Sequence, residues 1–176
     1  MSNPLYLEPV IGYRSWWAHR DTYSLNGRIT QSPWASEEKT TAYCDQVSAF
    51  WRGKHDSSYI LPPDHEVPHE DCSCGLYAFH RLPDAIRDYG GGPCGIVGAA
   101  VFWGEIVVHT AGFKARYGRP IALVDHRKRD RPDDIGWPTI LENVIQRYNI
   151  PVLPYDLLED YAKTFGTQLG VEYFGE

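Results

Sequence analysis

The sequence lacks any long apolar run. Nowhere do about 18 consecutive apolar residues occur, the length that a membrane helix needs. Residues 1–9 carry neither the basic region nor the apolar region of a secretory signal. We therefore expect a cytoplasmic protein with no membrane partner.

The chain also lacks an excess of positive charge. Its 17 Lys and Arg residues against 23 Asp and Glu residues give a net charge of −6. This balance argues against a general polyanion binder but leaves room for a local basic patch. Hydrophobic residues at 43% and charged residues at 23% exclude a disordered, collagen-like or coiled-coil chain. A chain of 176 residues has the length of one domain and can bury a core.

Cysteine is scarce, with four residues in the chain. In a reducing compartment such cysteines are more often metal ligands or core thiols than disulfides. Three of them lie in the polar, proline-rich segment 44–75, which also contains His65. Structural zinc takes four ligands in a tetrahedron, usually thiolates and imidazoles, and would order a loop that has little to pack. We predict a closed structural Zn²⁺ site whose ligands are Cys44, His65, Cys72 and Cys74.

The spacing of these residues leaves alternatives open. His69 competes with His65 as the imidazole ligand, and His55 is a more distant competitor. Reduced surface thiols or a disulfide are simpler interpretations of the same cysteines. A catalytic version of the site would keep one coordination position open, with a carboxylate of the segment 66–71 as the base.

The pattern along the chain predicts an α+β protein. Residues 96–103 form a near-continuous apolar run that indicates a buried strand, and further strand-like segments lie between residues 11 and 124. The pair Asn26-Gly27 favours a type I′ hairpin turn, and Pro83 begins a short helix that ends at Tyr89. We expect a small curved, partly open β-barrel-like sheet, SH3-like or PUA-like, with a zinc-stapled loop.

Two helices are predicted in the C-terminal part of the chain. The first begins at Pro138 and keeps its apolar residues at helical spacing as far as Tyr148. The apolar face of the second consists of Leu157, Leu158, Tyr161 and Phe165. We divide the chain into a mainly β domain, 1–125, with its metal loop at 44–75, and a helical extension, 126–176, packed on it. The stripe of the first helix offers a homodimer contact, although packing on its own sheet is the simpler use.

A local basic excess lies between residues 114 and 131. Only Asp125 and Asp130 oppose the basic side chains there. Such a patch, beside exposed aromatic residues, is able to hold a phosphate backbone or stack a base, whereas a solvated charged loop is the simpler interpretation. The candidate residues for binding a nucleic acid or another partner are Lys114, Arg116, Arg119, Arg127, Lys128 and Arg129.

No catalytic motif in the sequence is complete. The glycine-rich stretch 90–95 fits G-x-G-x-x-G, but a predicted helix precedes it and a strand follows, the reverse of a dinucleotide site. The motifs of zinc deaminases, zinc proteases and serine hydrolases are missing. Cys94 with His109 as its base is a candidate nucleophile, although an inert buried thiol is more common.

A set of short motifs covers about residues 11–124. It consists of WW at 16–17, Cys44, HEVP at 65–68, CSCGLYA at 72–78, WGEIVVH at 103–109, GFKA at 112–115 and RP at 119–120. By this set the chain resembles a group of uncharacterised small proteins of actinobacteria and their phages. In that group the histidine seven residues before the C-x-C pair recurs as H-x-x-P, which favours His65 as the ligand. The resemblance implies no established activity, and the C-terminal helices lie outside it.

These observations favour a binding protein over an enzyme. We expect a zinc-stabilised, non-catalytic binding or regulatory module, phage-encoded as the resemblance suggests, that acts on a host protein or nucleic acid. The first alternative is a nucleic-acid or nucleotide reader that uses the basic patch. The second is a hydrolytic enzyme with an open zinc position or with Cys94 as nucleophile.

Overall fold

The computed structural model describes residues 5–28, 32–44, 65–89, 94–124 and 136–169. In these ranges the chain forms eight strands, all in one mixed sheet, and three helices. In chain order they are β1 (Leu5–Ala18), β2 (Leu25–Gly27), β3 (Thr40–Thr41), β4 (Leu76–Phe79), α1 (Leu82–Asp88), β5 (Gly95–His109), β6 (Gly112–Val124), α2 (Trp137–Tyr148), β7 (Val152–Leu153), α3 (Tyr155–Lys163) and β8 (Thr167–Gln168).

The apolar run 96–103 lies in β5, the central strand of the sheet. β5 pairs antiparallel with β1 on one side and with β6 on the other. The segments predicted before and after Gly104 are one continuous strand, which bends at a register shift between Trp103 and Ile106. Gly104 has a φ of +80°, and a Cβ there would lie 2.8 Å from Cδ2 of Tyr117. The bend therefore requires glycine at this position.

The sheet is not a clean barrel. β1, β5, β6 and β4 pair in a ring, but the contact between β1 and β4 that closes it is one pair, Tyr13 opposite Phe79. The short strands lie outside this ring, with β2 and β8 on β1, and β3 and β7 on β6. The expected architecture is thus present in its coarse form, an α+β fold around one sheet.

Helices cover both faces of this sheet, which explains why β5 is apolar on both sides. On one face α2 contributes Val144 and Tyr148 to a cluster that includes Phe102. On the other face α1 and α3 contribute Leu82 and Leu158 to a cluster with the intervening residues of β5. The stripe of α2 predicted from the sequence therefore packs on the protein's own sheet.

The hairpin turn predicted at Asn26-Gly27 is wrong. Both residues lie in β2, opposite the two tryptophans at positions 16 and 17 of β1. The chain reverses earlier, where Tyr23 has a φ of 54° and its N–H donates to the carbonyl of His19. Pairing with the aromatic strand outweighs the local preference of Asn-Gly for a turn.

The C-terminal segment contributes more than helices. Its strands β7 and β8 pair in parallel with β6 and β1. In α3 Leu158 is buried as predicted, but Leu157 is 52% exposed, and Phe165 lies beyond the helix end and is 36% exposed. Within the ranges described above, no helix has the length and hydropathy of a membrane span. The sequence leaves helix and strand open for Thr40–Trp51; Thr40–Thr41 form the strand β3, and residues 45–51 lie outside those ranges.

Candidate metal centre

Two separate pieces of chain bring the predicted metal ligands together. Cys44 lies shortly after β3, and His65, Cys72 and Cys74 lie in the segment 65–75, which has no strand or helix and leads into β4. We call residues 65–75 the ligand segment. One donor atom from each of the four residues lies within 4.8 Å of all the others. These residues are therefore close enough to hold one metal ion.

The donor atoms meet as two close pairs. Cys44 Sγ lies 3.6 Å from Cys72 Sγ, and His65 Nε2 lies 3.4 Å from Cys74 Sγ. A disulfide bond is about 2.05 Å long, so the first pair is not bonded. All four cysteines of the chain are free thiols.

The site is partly closed to solvent. Cys72 and Cys74 are each 6% exposed, whereas Cys44 and His65 are half-buried. Burial, together with the neighbouring thiols of Cys72 and Cys74, raises the pKa of Cys44 to about 12. Burial also raises the pKa of Cys74. Thiolates crowded in this way repel one another, and a bound cation removes that repulsion.

A buried lysine holds the backbone of the ligand segment. Lys114 of β6 is 2% exposed. Its Nζ donates to the carbonyls of His69 and Cys72, each at 2.6 Å, and to that of Glu70 at 3.3 Å. Burial lowers the pKa of Lys114, while the neighbouring thiols act in the opposite direction. The three N–H donors of the ammonium thus each have a carbonyl acceptor.

Gly75 connects the last ligand to β4. Its φ is +123°, and a Cβ there would lie 2.9 Å from Cβ of Lys114 and 3.1 Å from Cβ of Pro68. Any other residue would be strained by the backbone and crowded by these neighbours. The glycine after the C-x-C pair therefore allows the ligand segment to lie against β6.

The structure places His65, and not His69, among the cysteines. His69 Nδ1 accepts the backbone N–H of Asp71 at 3.2 Å, and the His69 carbonyl accepts that of Cys72 at 3.1 Å. The His69 ring packs edge-on against His65 with centroids 5.5 Å apart. His69 therefore shapes the turn that carries the ligands. His55 lies outside the described residues.

The described members of the predicted basic patch do not form a free cationic surface. Lys114 is buried beneath the ligand segment, so it is not a surface cation. Arg116 Nη1 lies 3.0 Å from Glu105 Oε1, and the Arg116 guanidinium lies over the ring of Tyr117. Arg119 is exposed. The other candidates, Arg127, Lys128 and Arg129, lie outside the described residues.

Cys94 and His109 do not form the predicted nucleophile–base pair. They lie at opposite ends of β5, which has 15 residues. Cys94 lines a cavity of about 430 Å³, where its Sγ accepts a hydrogen bond from Arg20 Nε at 3.2 Å. His109 lines a separate cavity near Lys114, and burial lowers its pKa. Catalysis by this pair is therefore excluded.

Arg14 of β1 is a notable polar residue that belongs to no predicted motif. Its guanidinium lies over the ring of Trp34, 4.5 Å from the centroid, and 5.4 Å from that of Trp16. Burial lowers the pKa of Arg14 to about 9, while Asp88 acts in the opposite direction. The sequence does contain a signal for it, because an arginine inside an aromatic strand is unusual.

Comparison with known proteins assigns no family to this chain. No protein-family model, curated protein or solved structure matches it. The likeness to the actinobacterial and phage group stays a prediction, and the metal centre is argued from its own geometry.

Proposed function

We propose that the protein is a non-catalytic binding module stabilised by a structural Zn²⁺ ion on Cys44, His65, Cys72 and Cys74. The observation that carries the proposal is the convergence of four protein donor atoms within 4.8 Å of one another. Four protein ligands fill a tetrahedral zinc site and leave no position for water or substrate. The metal would fix the ligand segment against β6.

The donor set and its spacing support zinc. Three thiolates and an imidazole suit Zn²⁺ and do not suit Mg²⁺ or Ca²⁺, which prefer oxygen ligands. Zinc bonds are about 2.3 Å long to sulfur and about 2.0 Å long to nitrogen. At tetrahedral angles, such bonds place two sulfurs about 3.8 Å apart, and a sulfur and a nitrogen about 3.5 Å apart. The observed distances are close to these values: 3.6 Å between Cys44 Sγ and Cys72 Sγ, and 3.4 Å between His65 Nε2 and Cys74 Sγ.

The described surface favours a protein partner over a nucleic acid. The chain has a net charge of −6. Among the described residues of the basic patch, Lys114 is buried and Arg116 is paired with Glu105, whereas Arg119 is exposed. By contrast, α3 exposes 48% of Tyr155 and 52% of Leu157. Each of these side chains offers a separate apolar contact to a partner, because residues two apart on a helix do not face each other. A role against a host protein stays a prediction.

The metal content of the untagged protein, measured by elemental mass spectrometry, tests the site. We expect one zinc per chain in the wild type and none in Cys72→Ser or His65→Ala, because each substitution removes one ligand. Cys94→Ser and His109→Ala are matched controls, since they change the same residue types outside the ligand segment, and both should keep the zinc. Full zinc content in His65→Ala, or none in the wild type, would overturn the assignment.

Substitution of Co²⁺ for the metal tests whether the site is closed. The absorption bands of bound Co²⁺ report the coordination of the ion. Azide or cyanide can change these bands only where a coordination position is open. We expect the spectrum of the Co²⁺ protein to stay unchanged when azide is added. A new azide-dependent band would show an open position and favour the hydrolytic alternative.

A further inference from the structure

A third cavity, separate from the metal ligands, lies between β1 and the start of β4. Its volume is about 320 Å³, within the range of small-molecule sites. The ligand segment closes one side of it through Ser73 and Gly75. The lining side chains that matter for its chemistry are Arg14, Ser15, Arg28, Trp34, Tyr77 and Asp88.

Arg14 has hydrogen-bonding capacity that the described residues leave unused. The rings of Trp34 and Trp16 lie against its guanidinium, at 4.5 Å and 5.4 Å from their centroids. Its Nε is buried and has no hydrogen-bond partner in the part of the chain that the structure describes. A guanidinium donates hydrogen bonds in its own plane, and buried donors are almost always satisfied. The guanidinium of Arg14 therefore needs a hydrogen-bond acceptor in its plane.

The charges that line the cavity do not balance. Two arginines, Arg14 and Arg28, face one carboxylate, Asp88, and no other charged side chain among the described residues lines it. Asp88 Oδ2 accepts a hydrogen bond from Ser15 Oγ at 2.8 Å and lies 3.6 Å from Arg28 Nη1. Asp88 is thus engaged by Ser15 and Arg28, and one positive charge remains. The lowered pKa of Arg14 has the direction expected for a partly buried cation with too little compensation.

We propose that this cavity binds a small molecule through an oxyanion group, a carboxylate or a phosphate, that accepts hydrogen bonds from the edge of the Arg14 guanidinium. Oxyanions pair with arginine through charge-assisted hydrogen bonds to the guanidinium nitrogens. The rings of Trp34 and Tyr77 in the lining favour a flat body on the same molecule.

Isothermal titration calorimetry on the full chain tests the proposal. The probes are benzoate and phenyl phosphate, which separate the two oxyanions, and acetate and inorganic phosphate, which lack the flat body. We expect saturable binding of one aromatic probe at one site per chain. The corresponding small anion should bind about tenfold more weakly, because it makes no contact with the rings.

Arg14→Lys tests the contact that the proposal names. Lysine keeps the charge but not the planar edge, so the affinity should fall about tenfold or more. Arg87→Lys is the matched control, because the Arg87 side chain is 79% exposed on α1 and lies outside the cavity lining. Equal affinities in the two variants would overturn the proposal, as would a wild type that binds no probe more tightly than about 10 mM.

Asp88→Asn gives a second test, which stands if Arg14→Lys does not fold. It removes the negative charge from the lining and keeps an oxygen that accepts from Ser15. We expect about threefold to tenfold tighter binding of the preferred probe, because the remaining charges attract an anion more strongly. Unchanged or weaker binding in this variant would contradict an anion site.

Discussion

The ligand segment and the β5–β6 hairpin lie side by side but are ordered by different forces. The hairpin buries apolar side chains on both faces of the sheet, among them Phe102 on one face and Val101 on the other. The ligand segment has no strand or helix and buries few apolar groups other than its cysteines. Its contacts are instead the four donor side chains that converge closely enough to hold a metal ion and the ammonium of Lys114 under its backbone.

This difference separates two ways of specifying structure. Many residues share the stabilisation of the hairpin, because apolar burial is non-directional and roughly additive in area. In the proposed metal site a few residues determine the ligand segment, because metal coordination requires particular atoms at particular positions. Substitutions in the hairpin should therefore lower global stability, whereas loss of the metal should disorder one segment.

Removal of the metal should have the largest effect and the most local one. Structural zinc in small domains contributes an apparent binding free energy of about 10–16 kcal/mol, and here it would act on residues 65–75. After treatment with a strong chelator, we expect the amides of the ligand segment to lose protection from hydrogen exchange. The amides of β5 and β6 should keep theirs. Hydrogen-exchange mass spectrometry of the metal-bound and chelated protein makes the comparison, and equal loss of protection in both regions would contradict it.

Phe102→Ala tests the hairpin side of the comparison. Phe102 is fully buried, and its ring packs edge-on against Phe113 and Trp34 at centroid distances of 5.1 Å and 6.0 Å. We expect the free energy of unfolding to fall by about 3–5 kcal/mol, because a large cavity replaces the ring. Chemical denaturation measures the loss, and Phe102→Leu, which keeps most of the volume, should lose about 1.5 kcal/mol or less. The folded fraction of Phe102→Ala should still hold its metal, and loss of metal without loss of stability would contradict this view.

The parts of the fold that follow from local pattern could be predicted from the sequence. The apolar run 96–103 and the helical spacing from Pro138 to Tyr148 correspond to β5 and α2. Asn26-Gly27 misleads because strand pairing with residues 16 and 17 decides its conformation. The arrangement of the sheet likewise depends on pairs distant in sequence, such as Tyr13 with Phe79, which no local pattern encodes.

The candidate metal centre, too, could be predicted from the sequence only in part. The four residues that lie close enough to hold a metal ion could be predicted because thiolates and imidazoles are rarely combined in one polar segment for another purpose. From its residue type and its basic neighbours in the sequence, Lys114 is predicted to be a surface cation. Its burial depends on carbonyls that lie 42 to 45 positions earlier in the chain. Charge patterning within one segment contains no information about such a contact.

Lys114→Met is expected to have the smallest of these effects on stability, and it tests how the two regions are joined. Methionine fills similar space but leaves the carbonyls of His69, Glu70 and Cys72 without the ammonium, at a cost of about 2–3 kcal/mol in the free energy of unfolding. Lys163→Met is the matched control, since the Lys163 side chain is 52% exposed and its change should stay within about 0.5 kcal/mol. Hydrogen exchange should quicken at residues 69–72 and remain unchanged in β5. If Lys114→Met is as stable as Lys163→Met, the ammonium contributes no net stabilisation, and the metal alone orders the ligand segment.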